Sequence, residues 1–318
     1  MIHQVQRIGL GFGLILVLGG IAHLIKTWAW RLTFGRDISN VSFARTFALR
    51  LISEAIAILG LPGQVLGEAA RVSLLGSDVP TAKSISSATL DRGLLIVTSA
   101  IVTVVGMISA LLLIPLSRTW RWYALLFAFG SAAVLVVSAV AIQKRWPLFS
   151  RGTQAVGRLR WSKSCINGKQ YVVQSAEKHL FDFYHKTPGA FWKSLILNLV
   201  WHGTSMLEVY VLLLLIGARR GLLVALVVEA LTKLVNVVGA VNPGNVGTYE
   251  GGNMIIARLV GISGAAGLTV AICRRARILF WAAAGVLCLT VMSKSSNQRK
   301  SPYSEATLPA NVSDLLLS

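Results

Sequence analysis

The sequence has few charged residues and very few acidic ones. Only 14% of its 318 residues are charged, and 12 acidic residues stand against 31 basic ones. A soluble globular domain carries about 25% charged residues, and the mean hydropathy of +0.67 is also high for that class. The composition therefore excludes an ordinary soluble domain and favours a membrane protein.

Cysteine and the common catalytic motifs are also scarce or absent. Cys165, Cys273 and Cys288 form no CxxC or Cys/His arrangement, so neither a disulfide framework nor a zinc site is predicted. The sequence contains no P-loop, HExxH, GxSxG or kinase signature. These absences argue against pumping by nucleotide hydrolysis and leave no obvious nucleophile and base. No metal or cofactor is expected.

Long apolar runs are the dominant feature of the chain. Runs of about 20 residues match the length that an α-helix needs to cross a hydrocarbon core about 30 Å thick, and they lack the alternation of a β-barrel. The sequence predicts an all-α, polytopic membrane helix bundle of about seven to eight spans. Lys26, Trp28 and Trp30 are predicted to anchor the first span at the membrane interface. The predicted membrane segments are residues 8–25, 41–61, 93–114, 122–142, 194–216, 221–241, 253–262 and 265–292.

The longest polar stretch, residues 143–193, is strongly basic. Lys and Arg gather in cytoplasmic loops, so this stretch is predicted to be cytoplasmic. The net charge of +19 is explained in the same way, and no nucleic-acid partner is expected because no base-reading module is visible. The expected organisation is a transmembrane domain over 1–292, with halves of about 1–142 and 191–292 joined by segment 143–190, and a disordered tail over 293–318.

The most informative feature is a similarity between the two halves. Residues 62–68 read Pro-Gly-Gln-Val-Leu-Gly-Glu, and residues 243–250 read Pro-Gly-Asn-Val-Gly-Thr-Tyr-Glu. Because proline ends or kinks a helix, interrupted or re-entrant helices are predicted at Pro62-Gly63 and Pro243-Gly244. A broken helix exposes N–H groups that suit phosphate, and paired interruptions indicate a substrate site between repeats. The alternative is two ordinary turns at the membrane surface.

Charged residues in the helices before these breaks favour the same site. A charge near the bilayer centre costs about 2.5–3.5 kcal/mol on insertion scales, so it is paired or faces a cavity. Two interpretations stay open: an ion pair that joins helices, or a polar cavity for a charged head group. The two charged faces consist of Arg50, Ser53 and Glu54 before the first break and of Glu229, Lys233 and Asn236 before the second.

Two further places carry ionisable groups at membrane depth. His202 lies in the fifth predicted span and is interpreted either as a hydrogen-bonded core histidine or as a proton relay. Arg274, Arg275 and Arg277 interrupt the last apolar segment, and the remaining residues 278–292 would span only about 22 Å. The arginines are expected either to lie within the membrane, where arginine can bind phosphate bidentately, or to snorkel to the head-group layer.

The chain resembles the lysylphosphatidylglycerol-synthase transmembrane family, also called the flippase-like membrane domain. The resemblance implies a multi-helix domain that moves lipids between leaflets, without the aminoacyl-transferase domain of the fused members. The Arg274–Arg277 stretch is similar to that of stand-alone members associated with hopanoid biosynthesis. The residues that carry the resemblance are Arg50, Glu54, Pro62, Gly63, Gly67, Glu68, Arg71 and Asp91-Arg92, then Glu208, Glu229, Pro243-Gly244-x-x-Gly247-x-x-Glu250-Gly251-Gly252 and Arg274-Arg275-Ala276-Arg277.

The expected function is the binding and translocation of a lipid, either an anionic phospholipid or an isoprenoid or hopanoid-type lipid. The expected partners are membrane lipids, and the chain is not expected to be an enzyme. The alternatives are a lipid-modifying enzyme that uses Glu208 with His202, and a scaffold for lipid-biosynthesis enzymes. The predicted lipid-binding residues are Arg50, Glu54, Pro62, Gly63, Glu68, Arg71, Glu208, Glu229, Lys233, Asn236, Pro243, Gly244, Gly247, Glu250, Arg275 and Arg277.

Overall fold

The computed structural model describes residues 9–58, 61–145, 170–218 and 220–300, and all regular structure in these ranges is helical. Five helices, α1, α4, α5, α7 and α10, are long and apolar enough to cross a membrane. The predicted all-α membrane bundle is therefore confirmed. The α-helices of the described ranges are α1 Gly11–Phe34, α2 Phe43–Ala57, α3 Leu61–Leu75, α4 Thr81–Leu113, α5 Arg118–Gln143, α6 Gln170–Lys186, α7 Pro188–Leu215, α8 Leu222–Val238, α9 Thr248–Leu259 and α10 Gly264–Lys300.

Four shorter helices form two re-entrant hairpins. Helices α2 and α3 have 15 residues each, or about 22 Å of helix, which is short of a hydrocarbon core of roughly 30 Å. Helices α8 and α9 have 17 and 12 residues. Within each hairpin the two helices pack side by side, because Gly67 lies against the backbone of Ser53 and Gly252 lies against Val235. The predicted interrupted, re-entrant helices are confirmed.

The two hairpins enter the bundle from opposite ends. Helices α1 and α7 are antiparallel, since Ser194 donates to the carbonyl of Ala29 while Gly11 lies against Leu215. We call the end at which α1 ends and α7 begins the basic end, because Lys83 and Lys186 lie there. The first hairpin follows α1 and opens to the basic end, whereas the second follows α7 and opens to the other end.

The helices α1–α4 and α7–α10 pack as two equivalent, inverted units. Gly106 of α4 lies against Ala230 of α8, and Gly285 of α10 lies against the backbone of Leu51 in α2. Gly106 corresponds to Gly285, and Leu51 corresponds to Ala230, because both pairs are separated along the chain by the same number of residues. Each hairpin therefore packs on the long helix of the other unit, which is the arrangement of inverted structural repeats.

The first chain break lies slightly earlier than the sequence predicts. Helix α2 ends at Ala57 rather than at Leu61, and Pro62-Gly63 lies in the first turn of α3. Proline is well tolerated there because the first N–H groups of a helix have no partner within the helix. Residues 59 and 60 between the two helices lie outside the described residues.

Two further helix boundaries correct the expectations from hydropathy. Helix α4 begins at Thr81 rather than at the predicted residue 93, because Ser84, Ser87 and Asp91 are buried by neighbouring helices. Helix α10 is continuous through the three arginines and extends to Lys300. Residues 146–169 of the basic segment and 301–318 of the predicted tail lie outside the described residues.

Helix α6 lies across the basic end of the bundle. Its Phe183 packs with Leu90, Leu94 and Phe191. The Nε2 atom of His179 lies 3.1 Å from the carbonyl oxygen of Thr33. Burial, followed by the nearby Lys83 ammonium, lowers the pKa of His179 below its ordinary value of 6.5. His179 is therefore neutral in the docked helix, with its Nε2–H group donating to Thr33.

We expect the docking of α6 to weaken as the pH falls below about 6.5. Below this pH the imidazole of His179 binds a proton when α6 is undocked, but not when α6 is docked, because docking lowers its pKa. The free energy of docking is therefore fully favourable above about pH 6.5 and declines as the pH falls toward the lowered pKa of the docked state. Hydrogen-exchange protection factors of residues 170–186 would measure this. His179→Gln should remove the pH dependence, whereas His185→Gln, on an exposed position of the same helix, should retain it. Protection that does not change with pH in the parent protein would contradict the prediction.

We also expect Gly285→Ala to destabilise the bundle by about 1–3 kcal/mol, the usual cost of overpacking. The added Cβ would meet the backbone of Leu51, which cannot move aside as a side chain could. Gly130→Ala is the matched control, since a Cβ at this position on α5 meets nothing within 4 Å. Thermal unfolding in detergent measures both variants. Equal unfolding temperatures for Gly285→Ala and the parent protein would show that α10 and α2 do not touch at this point.

Candidate functional site

The first charged cluster surrounds Asp91 on α4. Its carboxylate accepts hydrogen bonds from Lys26 at 3.3 Å, Arg50 at 3.2 Å and Arg71 at 3.3 Å. All four side chains are buried. Lys26 also donates to the side-chain oxygen of Asn198 on α7 at 2.6 Å. One carboxylate thus holds α1 and both helices of the first hairpin against α4.

The outer part of this cluster reaches the protein surface. Arg50 is bonded to Glu54 at 3.1 Å, and the Glu54 side chain is 44% exposed. Glu68 pairs with Arg71 and accepts from the Nε atom of Arg92 at 2.6 Å. The Arg92 side chain is 35% exposed. The first cluster therefore extends from a buried carboxylate to accessible charged groups on both sides of α3.

The second cluster surrounds Arg274 on α10 and has the reverse charge arrangement. The Arg274 guanidinium lies 2.9 Å from Glu229 on α8 and 3.6 Å from Glu208 on α7. Glu208 also pairs with Arg277 at 2.8 Å, and Glu229 pairs with Lys233 at 3.3 Å. A central cation with anions on the neighbouring helices replaces the central anion and surrounding cations of the first cluster.

The two central residues lie at matching depths in the two units. Asp91 follows Thr81, the first residue of α4, and Arg274 follows Gly264, the first residue of α10, each by about 15 Å at 1.5 Å per residue. Both central residues therefore lie at the same distance along their long helices, and the two helices reach this point from opposite ends of the bundle.

The two chain breaks meet each other. A Cβ placed on Gly244 would lie 3.7 Å from the carbonyl oxygen of Ile58, at the end of α2. The second break turns sharply because Gly244, Asn245 and Gly247 have positive φ angles of 64°, 54° and 79°. Glycine adopts such angles without strain, and asparagine adopts them more readily than other residues do. The two breaks are therefore adjacent in the structure rather than far apart.

Arg275 holds the second break in place. Its guanidinium donates to the carbonyl of Asn245 at 2.8 Å and pairs with Glu250. The Glu250 carboxylate also accepts from the N–H of Gly247 at 2.8 Å, which caps the start of α9. Asn236 joins the same group, because its side-chain oxygen accepts from Asn245 at 3.0 Å. The break is thus tied to α8, α9 and α10 together.

The structure brings the predicted site residues into three groups. The first cluster contains Arg50, Glu54, Glu68 and Arg71, while Pro62 and Gly63 begin α3 beside the first break. The second cluster contains Glu208, Glu229, Lys233 and Arg277. The second break contains Asn236, Pro243, Gly244, Gly247, Glu250 and Arg275.

The predicted set of lipid-binding residues omits four charged members of the clusters, three of which, Asp91, Arg92 and Arg274, carry the family resemblance. Lys26, predicted to be an interface anchor, is 1% exposed and pairs with Asp91, and neighbouring Trp30 is 0% exposed. Arg92 and Arg274 complete the clusters. A usable signal was available for Asp91, an acidic residue next to an apolar run in a chain with only 12 acidic residues. The hydropathy of α1 alone carries no such signal for Lys26.

His202 is a hydrogen-bonded core histidine in the structure. Lys233 lies with its Nζ atom 3.1 Å from Nδ1 of His202. The hydroxyl oxygens of Thr98 and Ser99 lie 3.3 Å from Nε2. These contacts connect α7 to α4 and α8 beside the second cluster, as the simpler interpretation of this residue predicts.

The charges of the two clusters and the second break do not balance. Eight basic and six acidic side chains take part in these ion pairs in the described residues. The formal surplus is two positive charges when the histidines are neutral. An unpaired charge within a membrane is costly, so an anionic ligand would stabilise this arrangement. The basic members are Lys26, Arg50, Arg71, Arg92, Lys233, Arg274, Arg275 and Arg277; the acidic members are Glu54, Glu68, Asp91, Glu208, Glu229 and Glu250.

Comparison with known proteins identifies a family over most of this chain. The family model described as "Lysylphosphatidylglycerol synthase TM region" matches residues 2–285. The match includes both chain breaks and both charged clusters, and it confirms the resemblance that the sequence motifs indicate. No curated protein and no solved structure matches the chain.

We expect Asp91→Asn to destabilise the protein by about 3–5 kcal/mol, the cost of leaving buried charges without their partner. Lys26, Arg50 and Arg71 would keep their charges in a buried setting. Glu54→Gln is the control and should cost less than about 1 kcal/mol because its carboxylate is partly exposed. Denaturant unfolding in mixed micelles measures both variants. Adding Lys26→Met to Asp91→Asn removes one of the unpartnered cations, so the double variant should be more stable than Asp91→Asn alone. A double variant that is less stable than Asp91→Asn would contradict the proposed charge pairing.

Proposed function

The chain belongs to the lysylphosphatidylglycerol synthase transmembrane family, and we propose that it binds a lipid with an anionic head group and moves it between leaflets. The observation that carries the proposal is the meeting of two re-entrant hairpins that enter from opposite ends of the bundle. The carbonyl of Ile58 and Gly244 are adjacent at this point. A site at the junction of inverted repeats is the arrangement used by many membrane transporters.

The charges around the junction suit a phosphate group. The two surplus positive charges favour an anion, and arginine binds phosphate through parallel hydrogen bonds. Lys233, Arg275 and Arg277 have side chains that are 17%, 27% and 15% exposed, so we assign them to the head group. Helices α3 and α9 begin at the junction, and their N-termini add partial positive charge.

The packing of the hairpins supports a rocking movement. Each hairpin packs on the long helix of the other unit, and one glycine in each interface, Gly106 or Gly285, lets the two helices approach closely. Small residues at such contacts let helices approach closely in membranes. Movement of one unit against the other would turn the junction from one leaflet toward the other, while the lipid tails remain in the bilayer.

The orientation that we propose places the basic end in the cytoplasm of a bacterial cell. Lys and Arg are concentrated in cytoplasmic loops, and Lys83, Lys178 and Lys186 lie at this end together with residues 143–145, which precede α6. Helix α1 begins at the other end, so its first residue faces the periplasm. An anionic phospholipid is the leading substrate class, and a hopanoid-type lipid with a phosphate-bearing head group is the second.

We expect the reconstituted protein to move fluorescent phosphatidylglycerol between leaflets faster than phosphatidylcholine. Arg275→Gln and Arg277→Gln should each slow the transfer by about tenfold, the loss that corresponds to one charge-assisted hydrogen bond. Arg118→Gln, at the start of α5 and outside the clusters, is the control. Dithionite quenching of the outer leaflet measures the rate. Equal rates in liposomes with and without the protein would remove the transport proposal.

Lipid analysis of a deletion strain separates transport from the two alternatives. An unchanged lipid inventory with an altered distribution between leaflets supports transport. A missing lipid species would instead indicate an enzyme. Normal lipid distribution together with retained capture of biosynthetic enzymes by both arginine variants would indicate a scaffold.

A further inference from the structure

A groove of about 700 Å³ lies between α3 and α4, and its inner end is formed by two outer residues of the first cluster, Glu68 and Arg92. It extends from Gly76 and Thr81 at the basic end to Glu68 and Arg92. The part of α3 from Gly76 to Glu68 corresponds to about 12 Å of helix. The groove therefore leads from the basic end of the bundle inward to the first cluster.

Hydroxyl groups mark a polar path along this groove. Thr81, Ser73 and Thr89 line it on the way to Arg92, and all three are exposed, while Val72 and Ile85 form apolar parts of the wall. Such a surface suits a polar group that moves inward while hydrocarbon covers the rest of the groove. Water alone would leave the apolar wall without a partner.

The inner end of the groove carries an available cation and connects to the first cluster. Arg92 uses its Nε atom for Glu68, and its terminal nitrogen atoms have no bonding partner in the described ranges. Glu68 also pairs with Arg71, which is bonded to Asp91. A phosphate bound at Arg92 would therefore lie at the outer edge of the first cluster, which Glu68 and Arg71 connect to Asp91.

The equivalent crevice in the second unit is closed. Gly267 of α10 lies directly against the backbone of Asn253 and the side chain of Ala257 in α9. No side chain separates α9 from α10 at that point, whereas the groove separates α3 from α4. The described structure is therefore open between the hairpin and long helix of the first unit and closed at the matching place in the second.

We propose that the groove between α3 and α4 is the lateral entrance for a phosphate-bearing lipid from the leaflet at the basic end. Arg92 is the first ligand of the head group. The hydroxyl groups of Thr81 and Ser73 guide it inward, because that of Thr89 donates to the carbonyl of Ile85. The tails remain between the protein and the surrounding lipid. This proposal rests on the proposed transport function and adds the side and path of substrate entrance.

Blocking the groove in the folded protein tests this assignment. Ser73→Cys and Thr89→Cys would be made in a background where Cys165, Cys273 and Cys288 are serine. Each purified, reconstituted variant is then modified with a bulky thiol reagent. Phosphatidylglycerol transfer by each variant should fall in proportion to its labelled fraction, measured against the same variant before labelling. Val136→Cys, on an exposed position of α5, should transfer lipid equally well before and after labelling.

Cross-linking with a lipid that carries a photoreactive head group gives an independent measurement. The lipid should cross-link to peptides of α3 and α4, and Arg92→Gln should reduce this signal and the preference for phosphatidylglycerol over phosphatidylcholine. Arg92→Lys should restore part of both. Full transfer by labelled Thr89→Cys would overturn the entrance while leaving the transport function intact. Failure of the cysteine-free parent and the natural protein to transfer any lipid would overturn both.

Discussion

A charge in the middle of a membrane needs a partner, and this requirement determines how the two hairpins are held. Neither hairpin is long enough to be anchored by spanning the bilayer. Asp91 binds both helices of the first hairpin through Arg50 and Arg71, and Arg274 binds the second hairpin through Glu229. Because each unpaired charge would cost several kcal/mol, these ion pairs fix the depth of both chain breaks. The junction between the breaks depends on that depth.

Much of the fold follows from local sequence features, but the partners of the charges do not. The Pro-Gly pairs predict the breaks because proline and glycine act through the backbone, and the faces of Arg50–Glu54 and Glu229–Lys233 follow from helical spacing. Lys26 was placed at the interface because hydropathy describes one helix, whereas its burial depends on α4. The polar start of α4 was misjudged for the same reason, since its serines are covered by neighbouring helices.

The two units are equivalent in packing but opposite in the charge of their central residues. They also differ in whether a groove separates the hairpin from the long helix. A central anion on α4 corresponds to a central cation on α10. The crevice between α9 and α10 is sealed by Gly267, while the one between α3 and α4 holds a groove of about 700 Å³. In a protein built from inverted repeats, the open unit can close while the closed unit opens. The substrate path that we propose combines the open groove, the meeting hairpins and the surplus positive charge.

The pairing of Lys26 with distant residues also sets an order for biogenesis. Lys26 is made 65 residues before Asp91 and 172 residues before Asn198, its two hydrogen-bond partners. When α1 leaves the ribosome, its ammonium group has neither of them, and we expect it to reach toward the head-group layer until they are made. The contact with Asp91 can form only after α4 has been synthesised, and the contact with Asn198 only after α7 has been synthesised.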